Sequence, residues 1–388
     1  MINILLLGSF SFILAKDLSF YHNLVENDVV SLADQAAACP KYVCKTPSIS
    51  FSEDTCIYLD MPASTYYAQP CTESSLSCQS GPENNSTCKA RPSIYSSGFP
   101  GEGCQTSADC AVEDYQGCVN SICQGAPENA ACVYTWQCNP GLTCNTTTNT
   151  CTPQLKIGET GCTLLTDCVN NAACNITHNV GTCFELGSFE PHDFVSDCSL
   201  SNGVSGTSNL CSSWSCEVTN NAHFRCLDPV KSNQQLPVKC TATGSSGCAS
   251  SKDEFSGIQV PGDCECGYNP EGDSYCALFP GDPQYQAFIK QSNKWFQSKG
   301  IFSCNTAARF HFLCMKTHWD SDNYNKYVYY NYLIEDYPLM QSSLSCVLDT
   351  MLEPYAEAKK SYNAGDDDSS DASHIKLLAA FALAFAAF

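Results

Sequence analysis

The sequence predicts small disulfide-rich modules, built as short β-hairpins and loops in tandem, followed by a small, mainly α-helical C-terminal domain. Three observations carry that expectation. All 30 cysteines fall within residues 16–363, a density near the roughly 8–10% that marks a disulfide scaffold. Over residues 104–183 they recur in groups of four. After residue 282 they thin to three, while aromatic side chains take up helical spacing.

The chain opens on an apolar stretch, residues 4–15, with Leu5, Leu6, Leu7, Phe10, Phe12, Ile13 and Leu14. Twelve residues are too few to span a bilayer, but they suit a secretory signal peptide. Residues 1–15 are expected to be removed, leaving Lys16 first. Residues 16–91 form an N-terminal cysteine-rich segment, with cysteines at 39, 44, 56, 71, 78 and 88 among Ser, Thr, Pro and Tyr. That composition suggests strands. Residues 92–103, with Ser96, Ser97, Gly98, Pro100 and Gly101, have the punctuation of a linker.

Three tandem repeats then occupy residues 104–183. Their cysteines are Cys104, Cys110, Cys118 and Cys123; Cys132, Cys138, Cys144 and Cys151; and Cys162, Cys168, Cys174 and Cys183. First cysteines lie 28 and 30 residues apart, and five residues separate the first two cysteines of every repeat. A small or acidic lead-in recurs (Gly101-Glu102-Gly103, Ala126-Pro127-Glu128, Gly158-Glu159-Thr160-Gly161), as does a polar residue before the second cysteine: Asp109, Gln137, Asp167. Units this short bury too little apolar surface to fold alone. Two bridges per repeat are expected, in any of three pairings.

Residues 184–281 are an irregular cysteine-rich segment. Nine cysteines lie between 198 and 276, so at least one has its partner elsewhere, with Cys304, Cys314 and Cys346 the obvious candidates. Residues 282–362 are the helical, aromatic-rich domain. Asp282-Pro283 suits an N-cap and first turn. Tyr285, Phe288, Ile289, Trp295 and Phe296 share a helical face, and Gly300 is placed to close that helix. Tyr327–Ile334 has strong strand preference. A second helix is expected after Pro338, with Met340, Leu344, Val347, Leu348 and Met351 on one face.

Residues 363–388 fit an attachment signal for a glycosylphosphatidylinositol (GPI) anchor. Small residues Asn363-Ala364-Gly365 precede a polar spacer, 366–376, and a tail of Leu, Ala and Phe, 377–388. As a helix the tail would measure about 18 Å, against about 30 Å of hydrocarbon. Asn363 is the expected lipidation site, with Ser369 and Ser370 as rivals. A signal peptide and an anchor place the protein outside the cell, on the outer leaflet of the plasma membrane or secreted. In that oxidising space thirty cysteines are read as up to fifteen disulfides rather than as metal ligands.

The formal net charge is −21, and −18 after both ends are processed. Such a balance disfavours nucleic acid and anionic lipid as partners. The sequons Asn84, Asn85, Asn145 and Asn175 mark expected N-glycans, with crowding allowing one at the adjacent pair. The partners anticipated are the outer membrane leaflet, through the lipid, and an extracellular protein or glycan.

The run Cys132-x5-Cys138-Asn139-Pro140-Gly141-Leu142-Thr143-Cys144-x6-Cys151, and Cys104-x5-Cys110 with Asp109, resemble the cysteine-rich module of the Dickkopf N-terminal type. The resemblance covers about residues 100–185. No counterpart of the colipase-like half of Dickkopf proteins is present. The layout is similar to that of cysteine-rich exported surface proteins of ciliated protozoa that carry such repeats. The resemblance implies an extracellular ligand-binding or antagonist module as an alternative to a structural, adhesive or shielding role.

No enzyme activity, cofactor or metal is expected. Gly-x-Ser-x-Gly, His-Glu-x-x-His and Gly-x-x-x-x-Gly-Lys motifs are missing from the sequence. Cys264-Glu265-Cys266 is read as belonging to two separate bridges. His311, His318, Asp320 and Asp322 are the candidate metal ligands, but Asp320-x-Asp322-x-Tyr324 lacks the third oxygen ligand and the glycine of a calcium loop.

Overall fold

Pairing of the cysteines decides the architecture. The computed structural model describes residues 39–80, 85–91, 98–111, 117–200, 205–219, 224–241, 247–253, 257 and 259–366. Residues 1–15, Asn84 and the 367–388 part of the expected attachment signal lie outside them. All thirty cysteines are in disulfides.

In each repeat of 104–183 the first cysteine pairs with the third and the second with the fourth. The bonds are Cys104–Cys118 and Cys110–Cys123, Cys132–Cys144 and Cys138–Cys151, and Cys162–Cys174 and Cys168–Cys183. The reason is geometric. The third and fourth cysteines stand directly opposite each other on a two-stranded antiparallel hairpin: Cys118↔Cys123, Cys144↔Cys151, Cys174↔Cys183. Directly opposed residues project from the same face. The preceding loop lays its two cysteines across that face and is held by both.

Three further units have the same arrangement. Cys56–Cys78 and Cys71–Cys88 close one in the N-terminal segment. Cys198–Cys216 with Cys211–Cys226, and Cys240–Cys264 with Cys248–Cys276, close two in the segment expected to be irregular. Each again opposes its third and fourth cysteines across a hairpin: Cys78↔Cys88, Cys216↔Cys226, Cys264↔Cys276. The chain thus holds six units, numbered one to six from Cys56. Loop length hides the outer three. The first two cysteines are six positions apart in units two to four, but 15, 13 and 8 apart in units one, five and six.

The remaining bonds correct the expected partners. Cys266 pairs with Cys39, Cys346 with Cys44, and Cys304 with Cys314. The first two span 227 and 302 residues. They tie the N-terminal sheet to unit six and to the helices. That sheet has five strands, in the order Lys41–Cys44, Thr65–Ala68, Thr55–Asp60, Ser86–Ala90, Leu76–Ser80. Only the outermost pair, Lys41–Cys44 on Thr65–Ala68, is parallel.

The recurring lead-ins are tight turns. Phe99–Glu102, Pro127–Ala130, Lys156–Glu159 and Glu190–Asp193 are each closed by a backbone hydrogen bond from fourth to first residue. Their third residues, Gly101, Asn129, Gly158 and His192, have positive φ, as a type II turn requires. The amide of each donates at 2.8–2.9 Å to the carbonyl of its unit's fourth cysteine. Gly98 bridges to Cys110, so 98–103 belong to unit two rather than to a linker. Ala126↔Cys138, Leu155↔Cys168 and Phe189↔Cys211 repeat that bridge in units three, four and five.

The C-terminal part holds six α-helices among the described residues: α1 Pro283–Phe296, α2 Phe312–His318, α3 Ser321–Glu335, α4 Tyr337–Met340, α5 Ser345–Met351 and α6 Glu353–Asp366. None of them is long and apolar enough to cross a membrane. Phe288, Trp295, Phe296, Ile301, Met315 and Tyr327 form one core with Leu210 and the four cysteines of unit five. The helices therefore fold onto the disulfide units.

Three expectations change here. The first helix ends at Phe296, and Gly300 sits in a following 3-10 turn, Lys299–Ser303. Tyr327–Ile334 lies inside α3, where Asp320 caps the N-terminus and Tyr327 and Leu333 are buried against neighbouring helices. Tertiary burial overrides strand preference there. The helix after Pro338 is broken in two, because Ser342 adopts a left-handed conformation with φ of 57° between α4 and α5.

Non-reducing peptide mapping of the native protein should recover first-to-third and second-to-fourth bonds in all six units, plus Cys39–Cys266, Cys44–Cys346 and Cys304–Cys314. Nearest-neighbour or nested pairing within units would contradict the shared hairpin frame.

Candidate functional site

The most regular exposed feature of the described residues is the set of turns that precede the second cysteines of units two to four. Each is a 3-10 turn: Ser107–Asp109, Thr135–Gln137, Leu165–Asp167. The recurring polar residue ends the turn and accepts two backbone hydrogen bonds from its start. Asp109 accepts from Gln105 and Thr106 at 2.8 and 2.7 Å, Gln137 from Val133 and Tyr134 at 2.7 and 3.0 Å, and Asp167 from Thr163 and Leu164 at 2.8 and 2.9 Å. The Thr106 and Gln105 amides hold the Asp109 carboxyl below its usual range.

In three of the four lead-in turns a carboxylate does the same work. Glu102 accepts from the Phe99 amide at 2.7 Å, Glu159 from Lys156 at 2.7 Å and Asp193 from Glu190 at 2.9 Å. Asp282 repeats the pattern with Phe279 at 2.8 Å, and its carboxyl is pushed up by burial. Asp109 and Asp167, with Glu102, Glu159 and Asp193, are thus committed to holding backbone.

One frame carries different side chains. Unit two shows Gln105 and Thr106 at the exposed start of its turn, and unit four Thr163 and Leu164. Unit three shows Val133 and Tyr134, 67% and 48% exposed. Tyr134 stacks on Trp136 with centroids 5.9 Å apart, and Phe99 meets Trp136 edge-on. The disulfides set the backbone, leaving these positions free to vary.

Behind the turns, the segment between α1 and α2 runs along units two to four and is joined to them by buried polar side chains. Asn305 is fully buried and donates to the carbonyls of Thr135 and Cys138 at 3.0 and 2.6 Å. Its Oδ1 accepts from the Ala307 amide. Asn170 of unit four donates in the reverse direction, to Ile301 and Cys304, at 2.6 and 2.7 Å. Arg309 reaches the Ala172 carbonyl at 3.0 Å, and burial pushes its guanidinium down to about 10. His311 pairs with buried Glu102, and His318 Nε2 donates to the Gly101 carbonyl at 2.6 Å. No spacing in the sequence marks these contacts, since each is a single polar residue far from its partner.

The twelve cysteines expected to bridge within the repeats all do so. Cys264 and Cys266 belong to separate bridges. The four residues weighed as metal ligands have separate engagements: beyond the two histidines, Asp320 caps α3 and Asp322 pairs with Lys326. All described thiols are oxidised. The sequons differ in access. Asn145 is half-buried at the end of the strand Leu142–Asn145, and its Oδ1 accepts from Thr147 and Thr148. Asn85 Oδ1 accepts from the Leu59 amide at 3.3 Å. Asn175 is only 3% exposed and accepts from the Ser196 amide at 2.6 Å, so a glycan there must displace packed structure. Asn363 is exposed on the last turn of α6.

Replacing Asn305→Ala removes the buried donor to two carbonyls. Leaving buried polar groups unpaired costs roughly 1–3 kcal/mol, so guanidinium unfolding under non-reducing conditions should show a loss in that range. Asn305→Asp, which sets a carboxylate against the same carbonyls, should lose more. Equal stability of all three proteins would mean that this join contributes nothing. No protein-family model, curated protein or solved structure matches the chain.

Proposed function

We propose that the protein is a GPI-anchored, glycosylated cell-surface protein whose role is structural, adhesive or shielding rather than catalytic. Fifteen disulfides and the lack of a membrane-crossing helix among the described residues are consistent with an extracellular or secreted protein. The observation that carries the role is the six-fold use of one cross-linked hairpin, with exposed turns that change from unit to unit. Such a frame resists unfolding and proteolysis while its displayed surface varies. The acids that recur beside the cysteines hold turns, which supports a non-catalytic reading.

The anchor reading rests on the order of small residues, polar spacer and apolar tail over 363–388. Tyr362, one residue before the proposed attachment point, stacks on Tyr329 with centroids 4.4 Å apart. The lipid would then join the folded body with almost no stalk, and the helices would lie nearest the membrane. Glycans are assigned to Asn145 and to one of Asn84 and Asn85, with buried Asn175 left bare.

Phosphatidylinositol-specific phospholipase C should release the protein from intact cells, and the released form should partition into the aqueous phase of a detergent separation with glycan on those two sites. Retention in the detergent phase after both enzymatic and nitrous acid cleavage would exclude the anchor.

A further inference from the structure

The helices cover one face of the five-stranded N-terminal sheet. Tyr42 and Ala68 are buried there with Val347 of α5, and Tyr42 stacks on Tyr66 with centroids 4.9 Å apart. Side chains alternate along a strand, so Val43, Tyr67 and Tyr58 project from the opposite face. They stand in one row across three strands, Val43 beside Tyr67 and Tyr67 beside Tyr58. All three are half-buried, and none joins an apolar core among the described residues. Phe51 stacks on the Tyr58 end of the row at 5.5 Å.

Residues 16–38 lie outside the described residues and run directly into that sheet. Cys39, fixed to Cys266, comes just before the strand Lys41–Cys44. The sequence of 16–38 carries an apolar stripe at helical spacing: Leu18, Tyr21, Val25, Val29, Leu32 and Ala36. Over 18–36 a helix measures about 28 Å. That is enough to cross five strands about 4.8 Å apart, roughly 19 Å. Charge matches as well. Glu26 and Asp28 flank the stripe, and 16–38 holds Asp17, Glu26, Asp28 and Asp34 against Lys16 alone. The sheet face carries Lys41, exposed and on the same side as Val43, and Lys45, whose ammonium lies 4.2 Å from the Phe51 ring centroid. Among the described residues neither lysine forms an ion pair, although Lys239, Lys326 and Lys360 do.

We infer that residues 18–36 lay this stripe, as an amphipathic helix, across the Val43–Tyr67–Tyr58 row, with Glu26 and Asp28 turned towards Lys41 and Lys45. An apolar stripe and an apolar row each gain by leaving water together. The occupant is the chain's own segment rather than a second copy, because its short link to Cys39 holds it beside the sheet at high effective concentration. The docking is independent of the lipid anchor, and residues 16–38 precede Cys39 whether or not residues 1–15 are removed.

Hydrogen exchange followed by mass spectrometry on the whole oxidised protein tests the docking, with a synthetic peptide of residues 16–38 as the free reference. Amides of 18–36 should exchange at least tenfold more slowly in the protein than in the peptide. The variant V25D/V29D alters no residue of the sheet. It should lose that protection, leave exchange in units two to four unchanged, and raise nitration of Tyr67 by tetranitromethane several-fold. The variant V43D/Y67D should likewise return 18–36 to the peptide rate. A carbodiimide, which joins a carboxylate to a lysine in direct contact, should link Glu26 or Asp28 to Lys41 or Lys45. Peptide-like exchange in the unaltered protein, or protection that survives both double variants, would overturn the inference. So would protection that disappears on dilution, because a second copy would then be the occupant.

Discussion

Two disulfides laid across one face of a two-stranded hairpin are the constraint on which the molecule depends. A hairpin alone is marginal in water, and a thirty-residue unit cannot bury enough apolar surface to hold itself. In units two to four the bonds close loops with separations of 12 to 15 residues. Loops of that size are worth about 3 kcal/mol each in the chain-entropy view. The sulfurs also serve as the core. In unit three the buried residues are Ala126 and the four cysteines, with Ala130 and Leu142 packed against them.

The units need something to fold against, which the C-terminal helices supply. They share apolar residues with unit five, reach unit two through His311 and His318, and reach units three and four through buried amides and one guanidinium. These joins are directional. Asn305 and Asn170 each hold two carbonyls and Arg309 holds one, so register along the row is set by hydrogen bonds while compactness comes from sulfur. Cys39–Cys266 and Cys44–Cys346 then fasten the two ends of the segment that carries the first strand of the N-terminal sheet, one to unit six and the other to the helices.

The cysteine-rich modules, their three regular copies and the helical end were legible because each leaves a periodic trace. Five-residue gaps between Cys104 and Cys110, Cys132 and Cys138, and Cys162 and Cys168 announce a repeat. Units one, five and six were not legible, because their inserted loops break the period while leaving the hairpin register of the last two cysteines intact. Pairing was equally hidden, since it follows from cross-strand opposition such as Cys144↔Cys151 rather than from spacing. Tyr327 and Leu333 misled because strand preference is local and their burial is not.

The most direct test of the cross-linking account is backbone hydrogen exchange, followed by mass spectrometry, on the oxidised protein and on the same protein fully reduced and alkylated. The account predicts strong protection of the hairpin amides of units two to four when oxidised and its complete loss after reduction, because the cores of those units are almost entirely cysteine and alanine. Retention of hairpin protection in the alkylated chain would contradict it, and would mean that ordinary packing, not sulfur, holds this fold together.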